Sequence, residues 1–139
     1  MDIRKIDESI SVAPQLQPED FADLAQQGYR AVICNRPDGE AADQPSQQEM
    51  AEAALAAGLE FRYLPLAPGQ LTPQLVDEFG TAIEQMPGPV LAYCRSGTRS
   101  ATLWALSQSG KRAPSEILKR ASEAGYDLGG IAGGLAEPG

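Results

Sequence analysis

Four short apolar runs, set apart by stretches of helical spacing, restrict this chain to an alternating α/β architecture. The strand-like runs are Ser9 to Val12, Tyr29 to Asn35 with Ala31-Val32-Ile33-Cys34 at its centre, Phe61 to Leu66, and Pro89 to Tyr93. Pro18-Glu19-Asp20 opens a helix with acidic residues at its positive end, and Phe21, Leu24 and Ala25 give it an apolar face before Gly28. Ser46-Gln47-Gln48-Glu49 has capping-box form, with Met50, Ala53, Ala54 and Ala57 running on to Gly58. Leu75, Val76, Phe79, Ile83 and Met86 mark a helix from Pro73 that Pro87-Gly88-Pro89 stops, and Pro114 to Ala124 reads as a last helix. Strands alternating with helices build a mainly parallel central sheet flanked by helices. The pattern gives a single catalytic-sized domain over 1–128 and a Gly-rich tail over 129–139 that reads as flexible.

Ligands of such sheets bind beyond the carboxyl ends of the strands. At that end of the fourth run lies Cys94-Arg95-Ser96-Gly97-Thr98-Arg99-Ser100, which opens a helical run from Thr98 to Ser109. Strand, cysteine, small glycine-containing loop and helix wrap backbone N–H groups around one sulfur. The helix N-terminus adds partial positive charge, so the loop favours a thiolate or a bound oxyanion. Cys94 is the candidate nucleophile. Arg95, Ser96, Gly97, Thr98, Arg99 and Ser100 form the candidate binding loop, with Ser96, Thr98 and Ser100 also able to act as helix caps. Arg36, in the turn-rich Arg36-Pro37-Asp38-Gly39 after the second run, is a candidate for the pocket rim.

Composition removes several chemistries. The 139 residues contain no histidine, which excludes Ser-His-Asp and Cys-His pairs and the commonest zinc ligand. Two cysteines sixty positions apart make no metal site, and no cofactor is called for. A net charge of −8 argues against nucleic acid or an anionic membrane as a partner. The N-terminus lacks the apolar core of a signal peptide and no apolar run approaches a membrane span, so the expected location is the cytoplasm.

Cys94 to Arg99 resembles the active-site loop of rhodanese-type sulfurtransferases: cysteine, arginine, any residue, glycine, any residue, then arginine or threonine. Protein tyrosine phosphatases place five residues between cysteine and arginine, and here there are four. Ser11 to Asp20, Val32 to Glu40 and Gln44-Pro45-Ser46 resemble the beta-lactamase-hydrolase-like phosphatase/sulfurtransferase domain family. That family occurs alone or fused to a persulfide dioxygenase-like metallohydrolase, a part this chain lacks. The resemblance covers the chain to about Ser109 and implies a protein tyrosine/dual-specificity phosphatase-like fold.

Phosphatases of that fold use a general acid after the strand that precedes the cysteine strand. Phe61 to Val76 contains no Asp or Glu, and Tyr93 stands where those enzymes carry a histidine. Sulfite leaves thiosulfate without needing a proton. The resemblance and the missing acid together imply a sulfurtransferase working through a Cys94 persulfide. Its donor would be thiosulfate or glutathione persulfide, its acceptor a thiol, and a persulfide dioxygenase an implied partner. Alternatives are a cysteine-dependent tyrosine/dual-specificity-type phosphatase and a redox sensor that holds a persulfide or an oxyanion. The fold also places the strand of Cys34 beside that of Cys94, so Cys34 is either a core thiol or a resolving partner for oxidised Cys94.

Overall fold

The computed structural model describes residues 1–138 and contains one five-stranded sheet. The strands are β1 (Arg4–Lys5), β2 (Ile10–Ala13), β3 (Ala31–Cys34), β4 (Glu60–Tyr63) and β5 (Val90–Tyr93). Their order is β1-β2-β5-β3-β4; β1 pairs antiparallel with β2, and every other pairing is parallel. The expected α/β architecture with a mainly parallel sheet is therefore the one adopted. β2, β3 and β5 are buried along their whole length, which is why β3 and β5 read as unbroken apolar runs, while β2 carries the buried Ser11.

The connecting helices are α1 (Asp20–Gln26), α2 (Gln47–Ala56) and α3 (Pro73–Gln85), followed by α4 (Thr98–Ser107) and α5 (Pro114–Glu123). Ser46 caps α2, its Oγ accepting the Glu49 N–H, and Thr72 caps α3 in the same way through the Leu75 N–H. Phe21 and Leu24 of α1 and Met50 and Ala54 of α2 pack on one face of the sheet with Val32, Leu91 and Tyr93. Phe79, Leu103, Trp104, Ile117 and Ala121 cover the other face with Val12, Ile33 and Ala92. β5 sits at the centre between β2 and β3, so the chain leaving it emerges in the crevice between two flanking strand ends.

Two segments add to the elements read from the sequence. β1 is a two-residue antiparallel edge, too short to carry a hydrophobic period. The Gly-rich stretch expected to be a flexible tail forms a 3-10 turn over Gly129–Gly134, anchored by buried Leu128 and Leu135 on either side. Ala136 closes it against Ser109 and Gly110, its N–H donating to Ser109 Oγ and its carbonyl accepting the Gly110 N–H. Gly139 lies outside the described residues.

Candidate active site

Cys94 follows β5 directly and is fully buried. Its backbone N–H reaches back to the Ala13 carbonyl at the end of β2, which fixes the start of the loop. The loop then turns at Gly97, whose φ of 93° lies in the left-handed region that L side chains avoid. That turn brings the Gly97 N–H to 3.1 Å from Cys94 Sγ, where it donates. Gly97 has a second reason to be glycine: a Cβ there would run into the Tyr126 hydroxyl. Tyr126, between α5 and the 3-10 turn, donates through that hydroxyl to the Ser96 carbonyl at 3.3 Å and props the loop from outside.

The other loop residues divide into those facing the sulfur's surroundings and those facing solvent. Arg95 is exposed, and its carbonyl accepts the Gln15 N–H. Ser96 and Thr98 are exposed and joined by a hydroxyl–hydroxyl bond. Ser100 is fully buried and donates to Asn35 Oδ1 at 2.8 Å, so its hydroxyl proton is spent on Asn35 rather than on the sulfur. Asn35 in turn donates from Nδ2 to the Leu64 carbonyl. One buried amide thus ties the end of β3, the segment after β4 and the first turn of α4 together.

Arg99 is held by groups that the linear sequence does not place near it. Its Nη1 donates to Glu40 Oε2 at 2.7 Å and to the Leu66 carbonyl at 2.8 Å, and its Nη2 donates to Glu40 Oε1 at 2.8 Å. Glu40 also accepts from Arg36 Nε at 3.0 Å, and Arg36 Nη1 donates to Gln15 Oε1. The hydrogen-bonded Arg99 guanidinium, seconded by Arg36 and opposed by partial burial, holds the Glu40 carboxyl below its ordinary value. The same bond to Glu40 raises Arg99, and the neighbouring Cys94 sulfur acts in the same direction. The fork that Glu40 occupies is the Nη1–Nη2 edge. Nε and the second Nη2 proton, the other edge, meet no oxygen acceptor among the described residues, and the Cys94 sulfur lies near enough to favour the Arg99 cation.

Arg36, the candidate for the pocket rim, is only 5% exposed and bonds Glu40 through Nε. Asn35, Gln15 and Tyr126 are the site residues that the sequence does not single out, while Glu40 reads there as a rim or turn carboxylate and a partner for Arg36. The one signal for Glu40 was its i,i+4 spacing from Arg36. Cys34 is paired in register with Tyr93, the residue before Cys94, and packs with it against α1 and α2. Successive residues of a strand point to opposite faces, so Cys34 faces away from the loop. Burial pushes its thiol up, and it donates to the Arg36 carbonyl at 3.4 Å. It is a core thiol in this arrangement.

A cysteine at the end of a central parallel strand, with the Gly97 amide on its sulfur and an anchored arginine in its loop, invites comparison with known proteins. The family profile of the beta-lactamase hydrolase-like protein, phosphatase-like domain, matches residues 2–111. The chain belongs to that family. A Beta-lactamase hydrolase-like protein of Xylella fastidiosa Temecula1 is 35% identical over 131 residues, which cover 93% of this chain and 30% of the relative. The Agrobacterium fabrum protein of the same name is 33% identical over 126 residues, 89% of this chain and 29% of that one. The chain thus spans less than a third of the length of these relatives. Among solved structures, a candidate phosphatase from Neisseria meningitidis Z2491 superposes with a TM-score of 0.87 at 36% identity, covering 97% of this chain and 96% of its own. The core catalytic domain of the PP-IP phosphatase SIW14 from S. cerevisiae, in complex with citrate, gives 0.68 at 14% identity over 90% and 76% of the two chains, a likeness of fold. The beta-lactamase hydrolase-like domain described here accordingly has a tyrosine/dual-specificity phosphatase-like fold. No helix among its described residues is long and apolar enough to cross a membrane.

Proposed function

We propose that this domain is a cysteine-dependent phosphatase acting through Cys94. The observation that carries the reading is the Arg99–Glu40 clamp. It spends one edge of the guanidinium on the protein and leaves the Nε–Nη2 edge for a bidentate grip on a phosphoryl group. The family's phosphatase-like domain and the likeness to the Neisseria protein support it.

In the mechanism, amides of residues 95–100 and the open Arg99 edge hold the non-bridging oxygens. The Cys94 thiolate attacks phosphorus from below, forming an S–P bond as the bond to the leaving oxygen breaks. Water then attacks phosphorus, the S–P bond breaks, the thiolate returns and the surplus proton passes to solvent. The loop donors are fixed before substrate arrives, so they stabilise charge without reorganisation, each worth about 3 kcal/mol. Arg36 and Gln15 act through Glu40 and never touch substrate.

Sulfur transfer through a Cys94 persulfide, from thiosulfate or glutathione persulfide to a thiol, is a second reading. The four-residue spacing between Cys94 and Arg99 favours it, since a smaller ring of amides suits a single terminal sulfur. Turnover decides between the two: the phosphatase reading predicts release of 4-nitrophenolate from 4-nitrophenyl phosphate, lost in Cys94→Ser. Thiocyanate from thiosulfate and cyanide without any phenolate release would overturn it.

A further inference from the structure

The proton donor that ordinary phosphate esters demand has no counterpart around this loop among the described residues. The segment after β4, Leu64 to Thr72, passes close enough for the Leu66 carbonyl to accept from Arg99, yet it contains no Asp or Glu. Glu40, the carboxylate that does meet the loop, is held ionised between two arginines. Asp38 accepts the Gln47 N–H at the start of α2, and Asp127 turns back onto the Gly129 N–H. The Tyr126 hydroxyl is committed to the Ser96 carbonyl, and burial pushes it further from giving up a proton.

We infer that the site takes phosphoryl donors whose leaving group departs as an anion without protonation, the chemistry of a phosphoanhydride or an acyl phosphate rather than of an alkyl phosphate ester. The inference rests on the phosphatase reading above. In the first step the Cys94 sulfur forms a bond to phosphorus, the bridging P–O bond breaks, and its electron pair leaves on the bridging oxygen. A carboxylate or phosphate leaving group carries that pair stably at neutral pH. An alkoxide does not, and without a donor it forfeits the roughly 10²- to 10⁴-fold that general acid catalysis supplies.

The test is kcat/KM for 2,4-dinitrophenyl, 4-nitrophenyl and phenyl phosphate, with glycerol 3-phosphate as the alkyl ester, and acetyl phosphate and tripolyphosphate as the two anionic-leaving-group arms. The expected result is a steep fall along the aryl series as the leaving group becomes more basic. Turnover of at least one anionic-leaving-group arm should exceed that of glycerol 3-phosphate by about 100-fold or more. Equal rates across the aryl series, or efficient cleavage of the alkyl ester, would overturn the inference while leaving the phosphatase reading intact. No release from any of the compounds would overturn both.

Discussion

Replacing Glu40 by Gln tests whether the clamp serves Arg99. The carboxylate accepts three short bonds, two from Arg99 at 2.7 and 2.8 Å and one from Arg36 at 3.0 Å. The amide keeps one acceptor oxygen and turns its NH₂ toward a guanidinium, so at least one charge-assisted bond is lost, worth about 1.5–3 kcal/mol. Full loss of an aligned transition-state donor costs about 10²- to 10³-fold in kcat. Because the Leu66 carbonyl still holds Nη1, the expected fall in kcat/KM for 4-nitrophenyl phosphate is smaller, about 10- to 50-fold. Arg99→Ala should show the full loss. The decisive comparison is the double variant: once Arg99 is gone, Glu40→Gln should cost less than about twofold more, because the two residues act as one unit. Urea midpoints for all variants establish that each is folded under assay conditions. If Glu40→Gln cost the same factor with and without Arg99, Glu40 would act on substrate directly and the positioning argument would fail.

Asp7 accepts from Ser9 N–H, Ser9 Oγ and Ile10 N–H, and binds Arg112, which lies over the Trp104 ring. Asp7→Ala should therefore lower stability by about 2–3 kcal/mol in chemical denaturation. Burial works against ionisation of Asp7, but the Ser9 bonds and Arg112 outweigh it, and Glu40 is likewise depressed by Arg99 and Arg36. Both contributions are present above the ordinary carboxylate values of 3.8 and 4.5 and are lost as pH falls below them, so wild-type stability should drop steeply under about pH 4 and that of Asp7→Ala less steeply. Gly97→Ala should abolish turnover by driving a methyl into Tyr126. Adding Tyr126→Ala should restore only part of the activity, because the left-handed backbone still costs about 1 kcal/mol; full rescue would show that conformation is irrelevant. Cys34→Ser should leave turnover within about twofold, and peroxide-treated wild type should show no Cys34–Cys94 disulfide by mass spectrometry.

The fold was legible where the signal was local. Strand runs buried on both faces and helices opened by Ser46, Pro73 and Pro114 declare themselves within a few residues, and their observed bounds fall close to the expected ones. The cysteine loop was legible for the same reason, since strand, loop and helix are contiguous. What could not be read is what the parallel register assembles. Glu40 reaches Arg99 across 59 positions and Asn35 reaches Ser100 across 65, and neither residue type is distinctive in a turn. Ser100 read as a binding-loop or capping residue because its partner Asn35 was invisible. The 3-10 turn after Leu128 was not legible because each glycine is permissive alone, while the two leucines that flank it act only through the folded core.

The central claim is that Cys94 carries a phosphoryl group during turnover. Rapid acid quench of the domain with 2,4-dinitrophenyl phosphate, followed by peptide mass spectrometry, measures it directly. A phosphoryl adduct on the Cys94 peptide is expected, formed with an equivalent of released phenolate and absent in Cys94→Ser. A Cys94 persulfide formed from thiosulfate, with no phosphoryl adduct and no phenolate release, would contradict it.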